Sequence, residues 1–194
     1  MQTLESYGHI KKKRGAGGGS IILPILPDNG INLILNYLKQ QKYTAEELIE
    51  ARVVFEPLIV ELAAKKLTDK DKDKLRNALD IHEKDYNIKK TSRLGWESNL
   101  IYSELTHNKI IMVIEELLIR ILLDLEFSLG MTDLESPEEF NAYDGQSFSG
   151  HKEIIGALLS GDTDKARKAA ENHKMRWGSL LLDILKKKKP KRKK

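Results

Sequence analysis

Two histidines, His151 and His173, stand 22 residues apart on either side of a Ser160-Gly161-Asp162 turn. A third, His107, follows Glu104 by three residues, a spacing that puts two metal-capable side chains on one helical face. The chain contains no cysteine, so any metal must be held by nitrogen and oxygen, and thiolate nucleophiles, thiolate zinc sites and disulfide frameworks are excluded. Glu104 with His107 also fits a surface ion pair or a helix cap. Arg52 lies among apolar neighbours in a long helical stretch and could clamp a carboxylate with its planar fork, or bridge to an acidic residue of the chain itself. Trp96 and Trp177 read as packing residues rather than as platforms for a stacked cofactor.

The elements that must position these groups are read from composition and pattern. With 194 residues and 40% hydrophobic content the chain can bury one substantial core. The longest apolar tract, 110–129, is interrupted by Glu115, Glu116, Arg120, Asp124 and Glu126, so it falls short of the ~20 apolar residues that span a bilayer. The N-terminus lacks the hydrophobic stretch of a signal peptide, and a cytoplasmic, soluble protein is expected. Charge is uneven. Residues 186–194 carry eight positive charges and residues 1–14 a net +3, which leaves 15–185 at −7 within an overall +4. Affinity for nucleic acid therefore belongs to the ends, at Lys11, Lys12, Lys13, Arg14 and the lysine tail. That tail reads equally as a solvated, disordered segment. No amphipathic basic helix with an aromatic belt precedes it, so no membrane partner is expected.

Along the chain, YGHIKKK and SIIL flank the glycine-rich RGAGGG, the pattern of a basic-tipped β-hairpin. Pro24 and Pro27 read as a linker. From Asn29 the periodicity is helical. Ile31, Leu33, Ile34, Leu35 and Leu38 form a short amphipathic segment, and Thr44 with Glu47 is a capping box that opens a long helix containing Pro57. Thr68 with Asp71 opens the next helix, a third covers about 92–106, and Asn108 caps the most hydrophobic one. The apolar residues of that helix cover more than one face, so other helices or another subunit must surround it. Ser136-Pro137 reads as a helix start, Asp144-Gly145 as a break, and two closing helices occupy about 150–159 and 163–185. The expected fold class is all-α: an antiparallel bundle of six or seven helices preceded by a short hairpin.

The segment HKEIIGALLSGDTDKARKAAENH resembles the last helical pair of the FCD domain found in FadR-type members of the GntR family of transcriptional regulators. EARVVFEPLIVELAAKKLTDKD and THNKIIMVIEELL are similar to its opening and central helices, and LESYGHIKKKRGAGGGSIIL resembles the wing of a winged helix-turn-helix. The resemblance implies a residual wing and linker at 1–27, an effector-binding and dimerisation domain at 28–185 and a basic tail at 186–194. It also implies a homodimer that senses a small metabolite, an organic acid or related carboxylate, to control operator DNA binding, without enzymatic turnover. His151, His173, Asn99, Arg52 and Tyr102 are the implied effector-binding residues. Metal-binding members use an aspartate and a histidine one turn apart plus the two closing histidines, a set suited to zinc, nickel or manganese. Here Gly95 and Asn99 fall at the first two positions, leaving His151 and His173, with Glu97 as a substitute if the register shifts. Two rivals stand beside this reading. One is a small metal-dependent enzyme using His151 and His173, for which no paired base or nucleophile motif is present. The other is a protein without a recognition helix that pairs with a complete regulator and blocks it.

Overall fold

The computed structural model describes residues 5, 10–13, 15, 17–22, 27–89, 94–128 and 137–188. Arg14, Pro24, Ser136 and the lysines beyond residue 188 lie outside the described residues. The chain divides into two compact units, Met1–Tyr43 and Thr44–Lys194.

The first unit holds the expected hairpin. Strands β1 (Ile10–Lys13) and β2 (Gly19–Ile22) pair antiparallel, with Ile10 opposite Ile22 and Lys13 opposite Gly19. The turn depends on glycine at two positions. Gly15 has φ +118°, and a Cβ on Gly18 would run into the backbone oxygens of Lys13 and Gly15. Lys11, Lys12 and Lys13 are exposed, and Lys12 pairs with Glu5 at 3.0 Å. Helix α1 (Pro27–Gln41) begins two residues earlier than the pattern suggested. Pro27 belongs to the helix rather than to a linker, because the first helical position needs no N–H donor and proline's fixed φ suits it. Ile31 and Leu35 are buried, whereas Leu33, Ile34 and Tyr37 are exposed.

The second unit is a bundle of α2 (Ala45–Lys66), α3 (Asp69–Lys89), α4 (Leu94–Leu105), α5 (Lys109–Ser128), α6 (Pro137–Ser160) and α7 (Thr163–Lys188). Among the described residues the chain has seven helices and one two-stranded sheet, the all-α class expected. Its caps are those the sequence announces. The Thr44 hydroxyl accepts from the Glu47 N–H at 3.1 Å and the Glu47 carboxylate accepts from the Thr44 N–H at 2.7 Å. Thr68 and Asp71 repeat the exchange for α3, and Asn108 Oδ1 accepts from the N–H groups of Ile110 and Ile111.

Helix α7 packs along α2 and α6, and α4 touches α2, α3, α5 and α6. Small side chains make the close approaches possible. Ala63 of α2, Ala157 of α6 and Ala166, Ala169 and Ala170 of α7 are all buried in the core beside Leu75, Leu105, Ile154 and Leu158. Near the other end of the α2–α7 seam, a Cβ on Gly178 would come within 2.6 Å of Ile49.

A second boundary departs from expectation. Asp144-Gly145 does not break the chain, and α6 runs unbroken through both residues to Ser160. Aspartate and glycine inside a helix cost only about 1 kcal/mol each relative to alanine, less than packing against α3, α4 and α7 returns. Replacing Thr44 with alanine removes one half of a reciprocal cap. This should lower stability by about 1 kcal/mol, read as a shift in urea midpoint with an unchanged slope.

Candidate functional site

The sequence-derived site residues converge in the second unit. Arg52, Asn99, Tyr102, His151 and His173 are each 3% exposed or less, although they come from α2, α4, α6 and α7. The imidazoles of His151 and His173 meet with ring centroids 4.4 Å apart, and the Tyr102 hydroxyl lies 3.2 Å from His151 Nδ1. The approach of α6 to α7 is fixed here by Gly150, since a Cβ at that position would collide with the His173 ring. Glycine in the middle of a helix thus has a reason that the local sequence conceals.

Three further charged residues, unforeseen from the sequence, complete the cluster. Glu56, one turn after Arg52 on α2, binds the Arg52 guanidinium through Oε1 and the Lys174 ammonium through Oε2. Lys174 Nζ also donates to Asn99 Oδ1 at 3.1 Å. Arg52 lies over the Trp177 ring, 4.5 Å from its centroid, so a cation–π contact adds to its salt bridge. Glu115 of α5 is 1% exposed, and neither of its carboxyl oxygens has a hydrogen-bond partner among the described residues. Its signal was in plain view: an acidic residue within the most hydrophobic helix. The Arg52-Glu56 spacing of four on a helix was the corresponding sign for the ion pair.

Burial sets the protonation states. It would raise the Glu56 carboxyl, but the charges of Arg52 and Lys174 outweigh it and hold the group below the usual carboxylate range. For Glu115, burial and then the nearby Glu56 charge push the carboxyl up to about 8, so it is largely protonated at neutral pH. Burial lowers Lys174 to about 8, opposed by its pairing with Glu56. His173 is held well below its ordinary value by burial and by the cations Lys174, Arg52 and Arg176, so its ring is neutral. The cluster with Glu115 protonated carries two cations against one carboxylate.

The residues do not fit a divalent metal. Gly95 supplies no donor, and the Asn99 amide oxygen is occupied by the Lys174 ammonium. Among the described residues no group of three His, Cys, Asp or Glu side chains is placed to hold an ion. Glu104 and His107 do not form a site together. Glu104 pairs with Lys74, while His107, at φ +49°, contacts Asp71 at 3.1 Å. Trp96 is more than one-third exposed on α4.

A crevice of about 190 Å³ between α6 and α7 reaches this cluster, lined by Gln146, Ser147, His173, Arg176, Trp177 and Leu180. It is nowhere wide enough for a water molecule. Gln146, Arg176 and Leu180 also line a broader, open groove on the surface. The cluster is therefore closed by its own side chains, with a narrow seam leading outward.

The helical bundle closes on a buried, cation-rich polar cluster. The FCD domain family matches residues 47–175, and the chain belongs to it. The solved structure of Streptococcus agalactiae GntR shares the fold at a TM-score of 0.60, with 19% identity, covering 92% of this chain and 78% of that one. No curated protein matches the chain. The family match makes this a GntR-type, effector-binding regulatory domain.

Glu115 predicts a pH signature. A carboxyl whose folded value is raised holds its proton in the folded state while the unfolded chain releases it. Its contribution is fully present below the ordinary value of 4.5 and is lost as pH rises to about 8. Glu115→Gln, which cannot ionise, should gain stability over the wild type at pH 8 and little at pH 4.5. Equal differences at the two pH values in chemical denaturation would contradict the assignment.

Proposed function

We propose that this domain senses a small carboxylate-bearing metabolite at the Arg52-Lys174 cluster and, as a homodimer in the cytoplasm, controls the operator affinity of winged DNA-binding domains. The observation that carries this reading is the seating of Glu56. Two buried cations already hold one carboxylate, so the same cations are suited to an effector carboxylate that displaces it. Asn99, Tyr102, His151 and His173 supply neutral hydrogen-bonding groups around that position. The crevice at His173 and Trp177 has no room even for a water molecule, whereas small-molecule pockets begin at ~300 Å³. Binding therefore requires α6 and α7 to separate, and an effector acts by favouring the separated state over the closed one.

Dimerisation is supported by apolar side chains left in solvent. Helix α5 exposes Ile110, Val113, Ile114 and Phe127, and α2, which packs against it, exposes Val54, Phe55 and Leu58. A monomer gains nothing from this arrangement, whereas a second copy of the bundle would cover it. The hairpin fits the wing reading, with Lys11, Lys12, Lys13 and Arg14 contacting phosphates rather than bases. Lineage and fold favour regulation over turnover, and the effector leaves unchanged.

Native mass spectrometry of protein purified without added ligand, followed by thermal-shift titration with small mono- and dicarboxylates, tests the reading. The expected result is a dimer mass and a saturable rise in melting temperature for at least one acid. Arg52→Lys keeps the charge but loses the fork, and should weaken that response by about tenfold or more. A monomer that responds to no carboxylate would refute the proposal.

A further inference from the structure

Helix α5 turns a regular stripe toward the bundle, and the first member of that stripe is an acid. Glu115, Leu118, Ile119 and Leu122 are buried at intervals of three and four along one face, and α5 packs on α2 and α4. On α2 the buried positions include Arg52 and Glu56. Glu115 therefore lies inside the bundle with the polar cluster, and the charges of Glu56, Arg52 and Lys174 all act on it. Among the described residues its two oxygens nonetheless have no hydrogen-bond partner, while Arg52 and Lys174 are both bound to Glu56. A buried carboxyl left in this way is costly, and an aliphatic side chain would fill the same place at less cost. Removed from water and set near another carboxylate, the group keeps its proton. It is then a hydrogen-bond donor, and what it lacks is an acceptor.

We propose that Glu115 is a ligand-binding residue of this site, its carboxyl O–H donating to the carboxylate of a bound effector, and that it restricts the effector to singly charged acids. The donor suits an anion, because an O–H···O bond to a carboxylate is charge-assisted and among the stronger hydrogen bonds in proteins. Charge balance sets the class of acid. Arg52 and Lys174 against Glu56 leave one net positive charge in the cluster, and one carboxylate neutralises it. A second carboxylate on the same molecule, or an ammonium group, brings a further charge into a medium of low polarity with no counter-ion waiting there. The position of Glu115 thus carries information that the two cations alone do not, since they attract any anion.

This inference rests on the sensor reading, because it places the effector at the Arg52-Lys174 cluster. Butanoate, 2-hydroxybutanoate, butanedioate and 2-aminobutanoate compare acids of one chain length that carry one charge, two charges or an added ammonium. Each is titrated at neutral pH into wild type, Glu115→Gln and Glu115→Leu by isothermal calorimetry, alongside thermal shift. Wild type should bind one of the first two about tenfold or more tightly than either of the others. Glu115→Gln keeps a neutral donor and should stay within about threefold of wild type, whereas Glu115→Leu fills the volume without a donor and should bind about tenfold or more weakly. Glu115→Leu should also melt no lower than wild type, which separates lost recognition from a lost fold. Equal binding by Glu115→Leu and wild type would overturn the proposal and leave the sensor reading standing, as would a wild type that prefers butanedioate or 2-aminobutanoate. A wild type that binds none of the four overturns it as well, and the wider acid screen above decides whether the sensor reading falls with it. A loss of about tenfold in Glu115→Gln overturns it whether or not Glu115→Leu folds.

Discussion

The carboxylate of Glu56, enclosed between the Arg52 guanidinium and the Lys174 ammonium, is the interaction on which the middle of this bundle depends. Each of the three ions is almost wholly removed from water, and each is tolerable there only because of the others. A buried pair of this kind gains little net stability over well-packed hydrophobic residues, yet losing one partner strands a charge at a cost of about 3–5 kcal/mol. Such a cluster is weak evidence for stability and better evidence for a role. Its cost is sustained where an apolar core would have served folding alone.

The close approach of the helices and the polar cluster are two sides of one arrangement. Alanines on α2, α6 and α7 bring the backbones together in the apolar layer around Leu158 and Ala169. Gly150 does the same in the polar layer, admitting the His173 ring against α6. Aliphatic packing therefore fixes the distance at which His151 and His173 meet, and the Tyr102 hydroxyl fixes the orientation of the first of them. Trp177 closes the far side of Arg52 with its ring face, a contact that keeps the guanidinium in place without adding another charge.

Much of this was legible in the sequence because it is local. Thr44-Glu47, Thr68-Asp71 and Asn108 act within a few residues of themselves, and the caps sit where those residues predict. The hairpin turn was visible in its glycines for the same reason. His151, His173 and Arg52 were found through family likeness and side-chain chemistry. Lys174 and Glu115 were not, because a charge on a helix reads by default as a solvated face, and only the tertiary arrangement shows these two enclosed. Asp144-Gly145 misled for a related reason. Local turn preference is a small energy, and the contacts that override it come from helices far away in sequence.

Glu56 and Arg52 belong to α2, Asn99 and Tyr102 to α4, Glu115 to α5, His151 to α6 and Lys174 to α7. Five rods thus end their polar side chains in one knot, and no strand of that knot can be retied while the other four stay still. Shifting any one of these side chains therefore disturbs partners carried by other rods. Ile49 against Gly178, two turns or so along the same seam, leaves almost no slack to absorb such a shift locally. A side chain displaced from the cluster thus meets a closely packed backbone seam rather than free space.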